Sequence, residues 1–195
     1  MYAARLSSGV PLFAGNDIFG VIMSHAIVRF LSVFLAFLPA VAGAAPTSVA
    51  IPGLGWQVSF DAPPAVERKE SDHPDQYLYF ASAGRFNMSI YVETPGCKRG
   101  ATHADFRDCF WPKASRNPVI VKESIRQECG ERYCKVSYDI EAPWDRRLVR
   151  QRNINFLFAY RGKWTDVHVS VLEPTEADVK MLEAFEASLG YDTLP

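Results

Sequence analysis

The chain has 195 residues, 48% of them hydrophobic and 22% charged, with a formal net charge of −1. That balance excludes a disordered chain, a collagen and a coiled coil, and near-neutrality removes the electrostatic case for a general nucleic-acid binder. Beyond the first quarter, no uncharged apolar stretch reaches the roughly 18 residues that a spanning helix needs, which excludes a polytopic membrane protein.

The first clear signal begins at Met23, not at residue 1. Arg29 supplies a positive start, Phe30 to Leu38 a short apolar run, Pro39 a break, and Ala40 to Ala45 overlapping small-x-small sites. This is the layout of a secretory signal peptide over residues 23–45, with cleavage expected near Ala44 or Ala45. Residues 1–22 carry no helical or strand period and read as a mis-assigned start or a disordered extension. No cysteine sits at the cleavage point, which argues against a lipoprotein anchor. Residues 46–195 then form a single globular domain. A Sec-type signal places it in a Gram-negative periplasm or outside the cell, with no stable membrane insertion after cleavage.

Alternating and apolar runs dominate the rest. Trp56, Val58 and Phe60 share one face of a strand that Pro63-Pro64 ends, and residues 65–75, mostly polar, read as loop. Gln76 to Ser82 and Phe86 to Glu93 are aromatic-rich strands joined by a tight turn at Ala83-Gly84-Arg85. Thr102 and Asp105 open a short helix expected to stop at Trp111, before Pro112. Val119 to Gln127 and Tyr133 to Glu141 are strands, followed by a break at Ala142-Pro143-Trp144-Asp145. Leu148 to Tyr160 and Trp164 to Leu172 are strands joined at Arg161-Gly162-Lys163. Pro174 to Asp178 then supplies a cap and first-turn acids. Val179, Leu182, Phe185 and Leu189 fall on one helix face, and Gly190 is read as the stop.

Strands that follow one another directly, with few helices, predict an α+β fold. The expectation is a largely antiparallel sheet of about six to seven strands carrying a short middle helix and a C-terminal helix. This element order, with its closing strand, proline and helix from Trp164 to Leu189, resembles the PsbP/Mog1-like fold of the photosystem II extrinsic proteins and the Ran-binding Mog1 protein. The resemblance implies architecture and leans toward a protein-binding accessory role; one fold serves many functions.

Four cysteines follow the leader: Cys97, Cys109, Cys129 and Cys134. An even count behind an export signal reads as two disulfides. Cys129 and Cys134 flank a short polar segment that suits a hairpin tip, which leaves Cys97 for Cys109. Their spacings fit no common zinc pattern, and no Cys-x-x-Cys redox motif is present. No metal and no cofactor is expected. His73 and His103 belong to no ligand motif and read as surface residues.

Asp166, His168 and Ser170 alternate on one strand face and invite a hydrolase reading. Residues two apart on a strand lie roughly 6.5–7 Å apart, whereas a triad needs contacts near 3 Å. They stand as weak catalytic candidates. The basic cluster is Arg146, Arg147, Arg150 and Arg152, whose forks suit carboxylates or phosphates; ion pairs with Asp139, Glu141 or Asp145 are the plainer alternative. Trp144 sits beside them in a Pro-Trp-Asp break, and Trp next to Arg is the composition of an interaction hot spot. The function expected is therefore a non-enzymatic exported binding module engaging another periplasmic or envelope protein through Trp144, Arg146, Arg147, Arg150 and Arg152. An inhibitor or immunity role is one form of it, and a small periplasmic hydrolase using the His168 face is the alternative.

Overall fold

The structure, a computed structural model, describes residues 44–73, 76–97 and 102–194. The readings of residues 1–43 as extension and signal lie outside them. In chain order the elements are β1 (Ala45–Ile51), β2 (Trp56–Ala62), β3 (Glu67–His73), β4 (Gln76–Ala83), β5 (Phe86–Glu93), α1 (His103–Ala114), β6 (Ile120–Cys129), β7 (Cys134–Trp144), β8 (Arg147–Tyr160), β9 (Lys163–Leu172), α2 (Glu176–Ser188) and β10 (Gly190–Thr193). Two sheets result. The larger has seven strands in the order β3-β4-β5-β9-β8-β7-β6, the smaller three in the order β1-β2-β10. Every pairing is antiparallel. The class is α+β.

Tight turns make the large sheet. Asp145-Arg146 and Arg161-Gly162 are two-residue connections with positive φ at both positions (43° and 64°, 48° and 75°). That is the sign pattern of a type I′ turn, whose twist matches that of the strands it joins. Gly84-Arg85 joins β4 to β5 with φ +61° at the glycine, where a side chain would be strained.

Strand alternation then sorts the side chains onto two faces. Val167, Val169 and Val171 of β9 meet Met88 and Ile90 of β5 and Phe156 and Phe158 of β8 on one face, all buried. β2, with Trp56, Val58 and Phe60, and α2, with Leu182 and Phe185, close over that face to form the main core. On the opposite face α1 covers one end of the sheet. Phe106 stacks on Trp164 at 4.8 Å between ring centroids, and Trp111 lies 5.2 Å from Tyr138. Both helices start in a complete capping box, Thr102 with Asp105 and Thr175 with Asp178. Such a cap satisfies otherwise orphaned N–H groups at each helix start.

The cysteines pair as expected, Cys97 with Cys109 and Cys129 with Cys134, at Cα separations of 6.2 and 4.0 Å. The first ties α1 to the chain leaving β5; the second clamps the β6–β7 tip. His103 is no idle surface group: its Nδ1 accepts from the Ala159 N–H at 3.0 Å. The hydrogen must therefore sit on Nε2, which donates to the Glu131 carbonyl at 3.1 Å.

Several expectations need correction. Glu67–His73, within the expected loop, is an edge strand paired along its whole length with β4. The main sheet holds seven strands as expected, but β1 and β10 add a second sheet around β2. The first helix runs through Pro112 to Ala114. Proline is tolerated there because it sits in the last turn and the Asp108 carbonyl it leaves unpaired belongs to a solvent-exposed residue. The expected break at Ala142–Asp145 is the end of β7 and its turn. Gly190 starts β10 directly, and an added Cβ there would come within 3.0 Å of Ser59 Oγ. Close strand approach is the constraint at that position.

Candidate functional site

The four arginines separate into two groups. β8 is long, and its inner part is flanked by β9 and β7. The flanking contacts end at Glu141, whose N–H donates to the Val119 carbonyl, and at Arg150, whose N–H donates to Glu173 Oε1 at 2.8 Å. Beyond them the β7–β8 hairpin continues for the rungs Ala142↔Val149, Pro143↔Leu148 and Trp144↔Arg147 with no strand paired on either side. At roughly 3.3 Å per residue the hairpin forms a tongue about 10 Å long. Asp145, Arg146, Arg147 and Leu148 are exposed on it, Leu148 to 64%. Neither Arg146 nor Arg147 makes a side-chain hydrogen bond or ion pair among the described residues.

Arg150 and Arg152 behave differently. Two residues apart on β8, they point to the same face and converge on Asp139 of β7, which is 2% exposed. Arg150 donates through Nε at 3.2 Å and through Nη2 to Oδ2. Arg152 donates through Nε to Oδ1 at 3.0 Å and through Nη2 to Oδ2 at 3.3 Å. Burial pushes the Asp139 carboxyl up, but the hydrogen bonds and charges of Arg152 and Arg150 outweigh it and hold it below its ordinary 3.8. The plainer reading of these two residues thus describes their contacts, with Asp139 as the acid. The sequence reading named Asp139 as a partner but had no signal that one carboxylate would serve both arginines.

Asp166, His168 and Ser170 do share a face of β9, and no hydrogen bond joins any two of them. Asp166 accepts from Asn155 Nδ2 at 3.0 and 2.9 Å. His168 Nε2 lies 3.1 Å from Asn153 Oδ1, an atom that also accepts from Gln151 Nε2 at 3.0 Å. An amide oxygen only accepts, so Nε2 carries the hydrogen. Burial pushes Asp166 up to about 7, with the nearby Glu93 charge adding to it and the Asn155 hydrogen bond opposing it. Burial likewise pushes His168 down to about 4 and, with Glu93, pushes Tyr91 up to about 12. This partly buried polar face, whose Asp166 and His168 are already hydrogen-bonded to asparagines, weakens the hydrolase alternative. A histidine at about 4 is a poor general base at neutral pH, and Ser170, 3% exposed, has no base in contact. The signal in the sequence for Asn153 and Asn155 is their two-residue spacing with Gln151 on β8, opposite Ser170 and His168 of β9. Among the described residues no group of three or more His, Cys, Asp or Glu could hold a metal ion. The side chain of Trp144 lies outside the description; its backbone closes the last rung of the tongue.

No family model matches this chain, and no curated protein matches it. A crystal structure from Bacteroides thetaiotaomicron VPI-5482 is similar over 78% of this chain, with 13% identity and a TM-score of 0.44. This chain covers 49% of that one, about half its length. The likeness is too distant to bear on fold or function.

Proposed function

We propose that the protein is an exported, non-enzymatic binding module that docks an acidic surface of another envelope protein through the β7–β8 tongue. The observation that carries the reading is the tongue itself: a projecting hairpin presenting Arg146 and Arg147, both unpaired among the described residues, beside a 64% exposed Leu148. Arginine with a neighbouring large apolar side chain, and Trp144 in the same rungs, is the composition of a binding hot spot. Two disulfides suit an oxidising compartment, and no helix among the described residues is long and apolar enough to cross a membrane. The PsbP/Mog1-like element order adds a leaning toward an accessory role. The inhibitor form would apply if the partner were a cell-wall or lipid hydrolase.

The test is affinity recovery of the tagged full chain from the periplasm of its host after mild cross-linking, compared with R146E/R147E. A near-stoichiometric protein recovered by the wild type and lost from a variant of unchanged melting temperature supports the reading. Equal recovery by both, or recovery of the bare protein alone, refutes it. Arg150 is unsuitable as a probe, because its removal disturbs the buried Asp139.

A further inference from the structure

A second site lies away from the tongue, in the groove between α2 and the β6–β7–β8 end of the large sheet, and it does not depend on the docking reading. We propose that this groove binds a monocarboxylate carrying a short apolar body.

The argument starts from Asp139. Its two buried oxygens take the Nε and Nη2 edges of Arg150 and Arg152 and hold the two guanidinium groups side by side. The Nη1 groups of both arginines are left without a partner among the described residues, and the side chains are 51% and 37% exposed. Arginine usually loses much side-chain freedom on binding an anion; here a buried carboxylate has already ordered two of them. A third guanidinium on the rim, Arg126, is held instead by backbone: its Nη1 donates to the carbonyls of Glu123 and Ile125, each at 2.8 Å.

The groove has a volume of about 410 Å³, within the range of small-molecule sites. Ile154, Val179 and Leu182 give its lining an apolar strip next to the arginines. Its charges choose the ligand. Four cations (Arg126, Lys135, Arg150 and Arg152) face three acids (Asp139, Glu183 and Glu186). Lys135 is already committed to Glu186 at 2.7 Å and to Glu128. Asp139 neutralises one of the paired arginines and Glu141 and Glu173 act on Arg150 from outside the groove, so the positive charge left to a ligand sits on Arg152 and Arg126. Glu183, on α2, has no ion-pair partner among the described residues. A single carboxylate matches the excess and the planar N–H forks. Phosphate esters, polyphosphates and nucleic acid bring more negative charge and meet Glu183 and Glu186 on the α2 wall. The carboxylate could belong to a free aliphatic acid or to the last residue of a peptide; the chemistry at the arginines is the same.

The experiment is a two-dimensional amide NMR titration of the purified full chain. The probes are 4-methylpentanoate, N-acetylleucine, the uncharged N-acetylleucinamide and inorganic phosphate. Both carboxylates should shift resonances around Arg150, Arg152 and Val179, with the amide and phosphate weaker by about tenfold or more. R126Q, which leaves both Asp139 pairs intact, should weaken both carboxylates several-fold. E183Q changes an exposed side chain, leaves the fold alone, and should tighten them roughly twofold to threefold by removing a like charge. N-acetylleucine binding clearly tighter than 4-methylpentanoate identifies a peptide C-terminus, and comparable binding identifies a free acid. Absence of shifts with either acid at tens of millimolar, amide binding equal to the acid, or phosphate binding tighter than both would overturn the proposal. So would E183Q leaving carboxylate affinity unchanged.

Discussion

Replacing Asp166 with Asn is the sharpest test of the half-buried polar face of β9. Asp166 is pushed from 3.8 up to about 7 in the folded protein. As pH rises through that interval, the unfolded chain gives up the proton and the folded one does not, so stability falls with rising pH until about 7. At 1.36 kcal/mol per pH unit the full penalty is on the order of 4 kcal/mol at pH 8, and it vanishes below pH 4. His168 works in the opposite sense. Pushed from 6.5 to about 4, it stays neutral when the unfolded chain has taken a proton, so stability falls as pH drops from 6.5 to 4. Between pH 4 and 6.5 the two contributions cancel, leaving the wild type nearly flat there as far as this pair is concerned. Asp166→Asn removes one side of the cancellation. Urea unfolding followed by tryptophan fluorescence should show the variant more stable than wild type at pH 8, by up to about 4 kcal/mol. Near pH 4.5 the gain should shrink to about 1 kcal/mol, and the variant's stability should rise with pH through the histidine window. An identical difference at both pH values would show that Asp166 carries no such penalty and refute the reasoning.

Two further perturbations separate the structural roles of the remaining polar groups. Asp139→Asn leaves two guanidiniums without their shared anion. It should cost roughly 2 kcal/mol in urea unfolding at pH 7, below the 3–5 kcal/mol of a fully buried pair because both arginines can turn to solvent. Since the Asp139 pKa is lowered, this contribution is present above about pH 3.8 and is lost as pH falls through the folded value; a difference that persists unchanged at pH 2.5 would count against the ion pair as its source. The disulfides close spans of 12 and 5 residues. Chain entropy therefore assigns about 3 kcal/mol to Cys97–Cys109 and about 2 kcal/mol to Cys129–Cys134, an order that thermal melts of the two double-serine variants can check.

The strands with one apolar face were readable because alternation reports burial. Trp56-Val58-Phe60 and Val167-Val169-Val171 turn inward as their period requires. β3 was not readable for the same reason in reverse. Glu67–His73 contains no apolar residue, pairs on one side only, and is held by its backbone. A charged edge strand of this kind resists edge-to-edge association, and its side chains carry no pattern to find. β10 is four residues long, too short for a period. At the candidate sites, residue types and local spacing were visible, and so was the possibility of ion pairing. What the sequence could not carry was the cross-strand register. Asp139 lies directly opposite Arg152, and Glu141 opposite Arg150; that placement, set by the turn at Asp145-Arg146, decides which arginines are spent on an internal acid and which stay free.

The small sheet joins the two extremes of the described chain. β2 is flanked by β1 on one side and by β10 on the other, with Leu194 N–H reaching the Gly55 carbonyl at 3.1 Å. Tyr191 of β10 stacks on Phe158 at 4.2 Å. A nascent chain therefore cannot finish its main core while residues 190–194 are still inside the ribosome. Until they emerge, β2 keeps an open edge and Phe158 lacks its stacking partner. Residues 190–194 act as a latch, and a chain truncated at Leu189 should accumulate as an aggregation-prone intermediate with α2 present but its layer unsealed.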